Sequence, residues 1–121
     1  MANTFKVATF AAEPASAGTP YVMYTIAGST TGVVLGLILT NLNTTSVTAE
    51  VELVSTTANR SVANNTANGT SFLVKDVSIP AGSSLEVLTG GKVVMETTDI
   101  LKIDCSVADK LSGTLSIMEI T

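Results

Sequence analysis

The sequence predicts an all-β chain folded as an antiparallel β-sandwich, Ig-like or jelly-roll-like, with an extended N-terminal arm. Three observations carry this expectation. Short runs rich in Val, Ile, Thr, Tyr and Phe recur along the chain, as strands require. Gly, Pro, Asn and Asp punctuate them about every 8–12 residues, the rhythm of a sandwich or barrel. No stretch shows the three-and-four spacing of apolar residues that marks a helix face.

Taken in order, residues 1–20 mix Ala, Thr and Ser with Pro14, Gly18 and Pro20. They read as an arm: a short strand or extended segment near Phe5–Phe10, then a linker, because proline removes a ladder donor. The sandwich domain proper is expected over 21–121. Tyr21–Ile26 reads as a strand and Ala27-Gly28-Ser29-Thr30 as a turn. Thr31–Thr40 is a near-continuous apolar run, the pattern of a strand buried on both faces or at the centre of a sandwich. Asn41–Thr45 turns the chain. Val47–Ser55 has the cleanest period of two, with Val47, Ala49, Val51 and Leu53 on one side and Thr48, Glu50 and Glu52 on the other. Thr56–Thr70 is small and polar and reads as a long projecting loop. Beyond it the predicted strands are Ser71–Ile79, Leu85–Leu88, Val93–Glu96, Ile100–Cys105 and Thr114–Ile120. Turns at Pro80–Ser83, Thr89–Lys92, Thr98-Asp99 and Asp109–Gly113 separate them.

At 121 residues the chain is one domain's length. Charged residues make up only 13% against 45% hydrophobic, which fits a folded chain with little charged surface. The formal charge is -4, and the six cations (Lys6, Arg60, Lys75, Lys92, Lys102, Lys110) are scattered. Phosphate recognition needs clustered Lys and Arg, so nucleic acid is not an expected partner. No apolar run approaches the roughly 18 residues of a membrane span. The first residues lack a signal-peptide pattern, so the chain is expected to stay in the cytoplasm where it is made.

The residue inventory narrows the chemistry further. Without histidine the usual general base and every Ser-His or Cys-His pair are missing. A single cysteine, Cys105, makes no internal disulfide and reads as a small core residue. One cysteine and no histidine make a zinc or copper site unexpected, and no cofactor is implied. Glu50 and Glu52 stand roughly 6.6 Å apart along one strand face, near the separation of paired glycosidase carboxylates. Such carboxylates flank a cleft, whereas these two share a flat face, so they read as solvated. Asp99, Asp104 and Asp109 lack the dense spacing of a calcium loop. Gly91-Lys92 precedes Val93 rather than Ser or Thr and is a glycine turn, not a phosphate loop. The Asn-x-Ser/Thr triplets at Asn43, Asn59, Asn64 and Asn68 follow from loop composition. Five aromatic residues, some needed in the core, give weak support for sugar binding. A non-enzymatic role acting through surfaces is the expectation that is left.

The second half carries a series of turn and strand signatures: Leu73-Val74-Lys75-Asp76, then Ile79-Pro80-Ala81-Gly82-Ser83-Ser84-Leu85-Glu86-Val87-Leu88. Gly90-Gly91-Lys92, Met95-Glu96, Asp99 and Leu101-Lys102-Ile103 follow. The series resembles small β-sandwich virion proteins of tailed bacteriophages, such as phages of cyanobacteria. Tyr24-Thr25-Ile26-Ala27-Gly28 and Val33-Val34-Leu35-Gly36-Leu37 extend the likeness over Tyr21–Ile120. The resemblance implies a virion structural protein, made in the host cytoplasm. A capsid decoration or cement protein bound to the major capsid protein is the first expectation. A tail, neck or baseplate component with an adhesive role is the alternative. The expected partner contacts are Phe5 and Phe10 on the arm and Arg60, Asn64, Asn65 and Asn68 on the long loop. Strand edges with few charges to guard them imply self-association as a dimer or trimer.

Overall fold

The structure is a computed structural model and describes residues 2–55 and 69–121. Among these residues there are nine strands and no helix: β1 (Asn3–Glu13), β2 (Tyr21–Thr25), β3 (Thr31–Asn41), β4 (Val47–Ser55), β5 (Gly69–Ile79), β6 (Ser84–Glu86), β7 (Val93–Met95), β8 (Ile100–Cys105) and β9 (Leu111–Ile120). All pairings are antiparallel. The first sheet runs β1-β9-β3, and both β6 and β7 pair with the far side of β3; the second runs β2-β8-β4-β5. The two sheets pack face to face as the expected sandwich.

The core follows from alternation. On β4, Val47, Ala49 and Val51 are buried; on β8, Leu101, Ile103 and Cys105 are; on β9, Leu111, Leu115 and Ile117 are. Each buried Leu or Ile contributes about 1.5–3 kcal/mol relative to an exposed one, so these inward rows dominate the stability. Ser83 N–H bonds the Pro80 carbonyl at 3.1 Å across a turn whose Gly82 has φ +72°, which is why a glycine stands there.

The structure differs from the sequence reading in two strands. The run in β3 lies at the centre of its sheet, one of the two positions expected of it, and is not buried on both faces. A bulge between Val34 and Gly36 shifts the frame, so Val34, Leu37 and Leu39 face the core while Leu35 and Ile38 are exposed. The residues read as an arm hold the edge strand of the first sheet. β1 pairs with β9 in unbroken register from Asn3↔Ile120 to Phe10↔Gly113, and only residues 14–20 link it to the second sheet. Its inward residues are Lys6, Ala8 and Phe10, the last packed edge-on against Tyr21 of β2 at 5.1 Å. In addition, the expected strand starting at Thr114 begins earlier, at Leu111, because its pairing with β3 runs on to Asn41↔Leu111.

Candidate interaction surface

The two outer faces differ in kind. On the second sheet, register aligns Val22 with Lys102, Lys102 with Glu52, and Glu52 with Phe72; the neighbouring row pairs Glu50 with Asp104. Lys75 Nζ lies 3.1 Å from Glu50 Oε1 and 4.5 Å from the centre of the Phe72 ring, an exposed ion pair with a cation–π contact. Glu50 is thereby committed to Lys75, while Glu52 lies in the next row beside Lys102. Next to them, Ala17, Gly18, Thr48, Glu50, Asp76, Asp104, Cys105 and Ser106 line an open depression of about 330 Å³. Asp104 Oδ1 is occupied by the backbone N–H groups of Gly18 and Cys105. Among the described residues no three His, Cys, Asp or Glu side chains have metal-holding geometry.

The outer face of the first sheet is nearly uncharged and carries one apolar row. Register places Phe5 of β1 beside Met118 of β9, Met118 beside Val33 of β3, and Val33 beside Val94 of β7. One apolar row therefore crosses four strands. Phe5 is 73% exposed and Val94 56%. Val7, 66% exposed, and Leu35 lie to one side with Ser116 and Gly36 between them, and Ile120 lies to the other. A further row runs Thr9, Thr114, Ile38 and Glu86, and Glu86 is the only charge among these paired outward positions. An exposed apolar row with large side chains open at both ends is a candidate contact surface in physical terms, because covering it removes apolar area from water.

Of the residues singled out from the sequence, Phe5 lies in this surface. Phe10 does not: it is 7% exposed, turned inward by the strand's alternation and packed on Gly113 and Tyr21. Its assignment as a partner contact is corrected to a core role. Arg60, Asn64, Asn65 and Asn68, with most of the loop read as projecting, lie outside the described residues. Cys105 is buried, as its apolar run implied.

One polar cluster was not read from the sequence. Glu119, 7% exposed, faces inward in step with Leu115 and Ile117. Its Oε1 lies 2.6 Å from Lys6 Nζ on β1, and its Oε2 accepts from the Tyr24 hydroxyl of β2 at 2.7 Å. The cluster ties β1 to β9 and to the facing sheet. The signal was present in the alternation Leu111, Gly113, Leu115, Ile117, Glu119, since a carboxylate in an inward frame demands partners. Lys6 and then the Tyr24 hydroxyl hold the Glu119 carboxyl below its usual range. Burial, and then Glu119, push Tyr24 up to about 12. A depressed carboxylate contributes stability above its ordinary pKa and loses it as pH falls through the lowered value. The raised phenol contributes fully below its ordinary value of 10.0 and loses that contribution as pH climbs towards 12. Glu119→Gln is expected to cost about 1–2 kcal/mol at neutral pH, because Lys6 is half exposed and already partly solvated. Thermal melts across the acid range check this: the variant's acid limb should be shallower than wild type, and parallel limbs would contradict the assignment.

These features define a β-sandwich with one charged face, one apolar face and an open edge strand. No protein-family model, curated protein or solved structure matches the chain.

Proposed function

We propose that the chain is a non-enzymatic structural protein of a virus particle, a capsid decoration or cement protein that seats the outer face of its first sheet on the major capsid shell. The observation that carries this reading is the uncharged apolar row Phe5–Met118–Val33–Val94. A surface of this kind gains free energy by being covered, and a flat sheet face fits a flat protein shell better than it fits a small molecule. The virion setting rests on the strand and turn series Leu73–Ile103 and its resemblance to phage sandwich proteins. The carboxylates that invite catalysis are spread over the charged face, beside Lys75 and Lys102, and lack an enclosed cleft.

Counting copies in purified particles by mass spectrometry tests the proposal. A copy number comparable with the major capsid subunit is expected; a number matching a few tail rings, or none, contradicts it. On isolated shells, Val94→Lys and Ile38→Lys should each weaken binding by about 30-fold or more, since a charge would be buried in the contact. Both positions are exposed, so the melting temperature should stay within a few degrees of wild type.

A further inference from the structure

We infer that two copies of the chain pair through their β1 strands, edge to edge and antiparallel, to make one continuous sheet across a two-fold axis. The inference deepens the self-association implied above and rests on the reading that this protein acts through its surfaces.

The backbone supplies the first argument. Ala2 and Thr121 exchange both of their hydrogen bonds, at 3.2 and 3.0 Å. In an antiparallel ladder such pairs alternate with pairs that make none to each other. Thr4, Lys6 and Ala8 therefore direct their amides and carbonyls to β9. Asn3, Phe5, Val7 and Thr9 direct theirs to the open side of the sheet, where β1 has no neighbour among the described residues. A row of unpaired groups on a long, regular edge is a template for another strand.

The other edges are guarded. β5, equally long, is bulged at two places against β4, with Lys75 and Asp76 at one of them and Asp76 at φ +51°. β2 has five residues, and β6 and β7 have three each. β1 carries no charge at its open-side positions, and its one cation, Lys6, is turned under the sheet and neutralised by Glu119. An open side with no charge selects neither an acidic nor a basic strand.

Sequence then favours a copy of itself and fixes the register. The regular part of β1 runs from Asn3 to Phe10, before the shift towards Glu13. Pairing Phe5 with Val7 of the second copy uses all four open-side residues of each strand and sets the two-fold axis between the two Lys6 residues, each held by its own Glu119. It sets the aromatic ring against a β-branched side chain and Asn3 against Thr9, apolar on apolar and polar on polar. The alternative centred on Val7 facing Val7 puts Phe5 opposite Thr9 and pushes Asn3 against the irregular end. The favoured register also buries part of the two most exposed large hydrophobic residues of the described chain, Phe5 and Val7. An isologous contact of this kind closes after two copies.

Val7→Pro is the informative variant. Its amide has no partner in β9, so the ring removes an open-side donor while sparing the internal ladder. Sedimentation equilibrium is expected to show a wild-type dimer, association weakened about 100-fold or more in Val7→Pro, and no change in Ile38→Lys, which lies away from the edge. Should Val7→Pro not fold, Val7→Lys places a charge at the same contact and should weaken association similarly. Hydrogen exchange gives the register: protection at Phe5, Val7 and Thr9 should rise with protein concentration, while Lys6 and Ala8 stay protected throughout. A wild-type monomer at high concentration, or a dimer indifferent to both Val7 variants, overturns the pairing. Particle copy number reads the proposed function separately. A dimer missing from particles defeats only the virion setting, and a monomer abundant in particles defeats only the pairing.

Discussion

Gly113→Ala is expected to destabilise the sandwich by about 2–3 kcal/mol, the upper range for overpacking a well-filled core. A Cβ at this position would point into the Phe10 ring, with Cζ at 2.6 Å and Cε1 closer still. The ring cannot simply swing away, because its other side meets Tyr21 at 5.1 Å and the strand that carries it is held by β9 itself. Either the ring leaves its rotamer or β1 lifts from β9. In a domain of this size the melting temperature should fall by about 8–12 °C. Phe10→Leu alone should cost about 1–2 kcal/mol as a partly filled cavity. The double variant should cost clearly less than the sum, since the smaller side chain makes room for the methyl group. Strict additivity in urea unfolding would show that the ring and the glycine do not meet.

Asn41→Leu carries an effect of similar size for a different reason. Asn41 is 2% exposed and sits where two connections between the sheets pass each other. Its Nδ2 donates to the carbonyls of Thr45 and Ile79 at 3.0 and 2.9 Å, and its Oδ1 accepts from the Asn43 amide at 2.7 Å. Its own amide donates to the Ser83 carbonyl at 2.9 Å. One side chain thus fixes the exit of β3, the loop into β4 and the end of β5. Leucine fills similar space but strands the Ile79 carbonyl and the Asn43 amide, at a cost of about 2–4 kcal/mol. Asn41→Asp separates polarity from shape. An ionised carboxylate would face two carbonyl oxygens, raising its pKa, so the loss should be larger at neutral pH and partly regained in acid. Denaturant titrations at neutral and acid pH check the pair; equal losses for Asp at both would contradict the hydrogen-bond assignment.

How far sequence reached depended on how regular each strand is. β4 from Val47 to Leu53 and β8 from Leu101 to Cys105 were legible because apolar and polar residues alternate there, and the alternation maps onto inside and outside. The sequence left open whether β3 is buried on both faces or central in the sandwich, because two causes make its apolar run: a bulge that changes frame and apolar residues on its outer side. β1 read as an arm because its Thr and Ala residues give a faint period. Its partners, Gly113 for Phe10 and Glu119 for Lys6, lie at the other end of the chain. The interaction surface was legible only at Phe5. Its remaining members belong to strands distant in sequence, and only the registers β1–β9, β9–β3 and β3–β7 bring them into one row.

The claim on which the account depends is that the outer face of the first sheet is the side that becomes covered. Cryo-microscopy of the assembled particle tests it most directly. Copies on the capsid lattice with Val33, Val94 and Met118 against the shell are the predicted result. Copies seated through the Glu50–Lys75 face, leaving the apolar row in solvent, would contradict it.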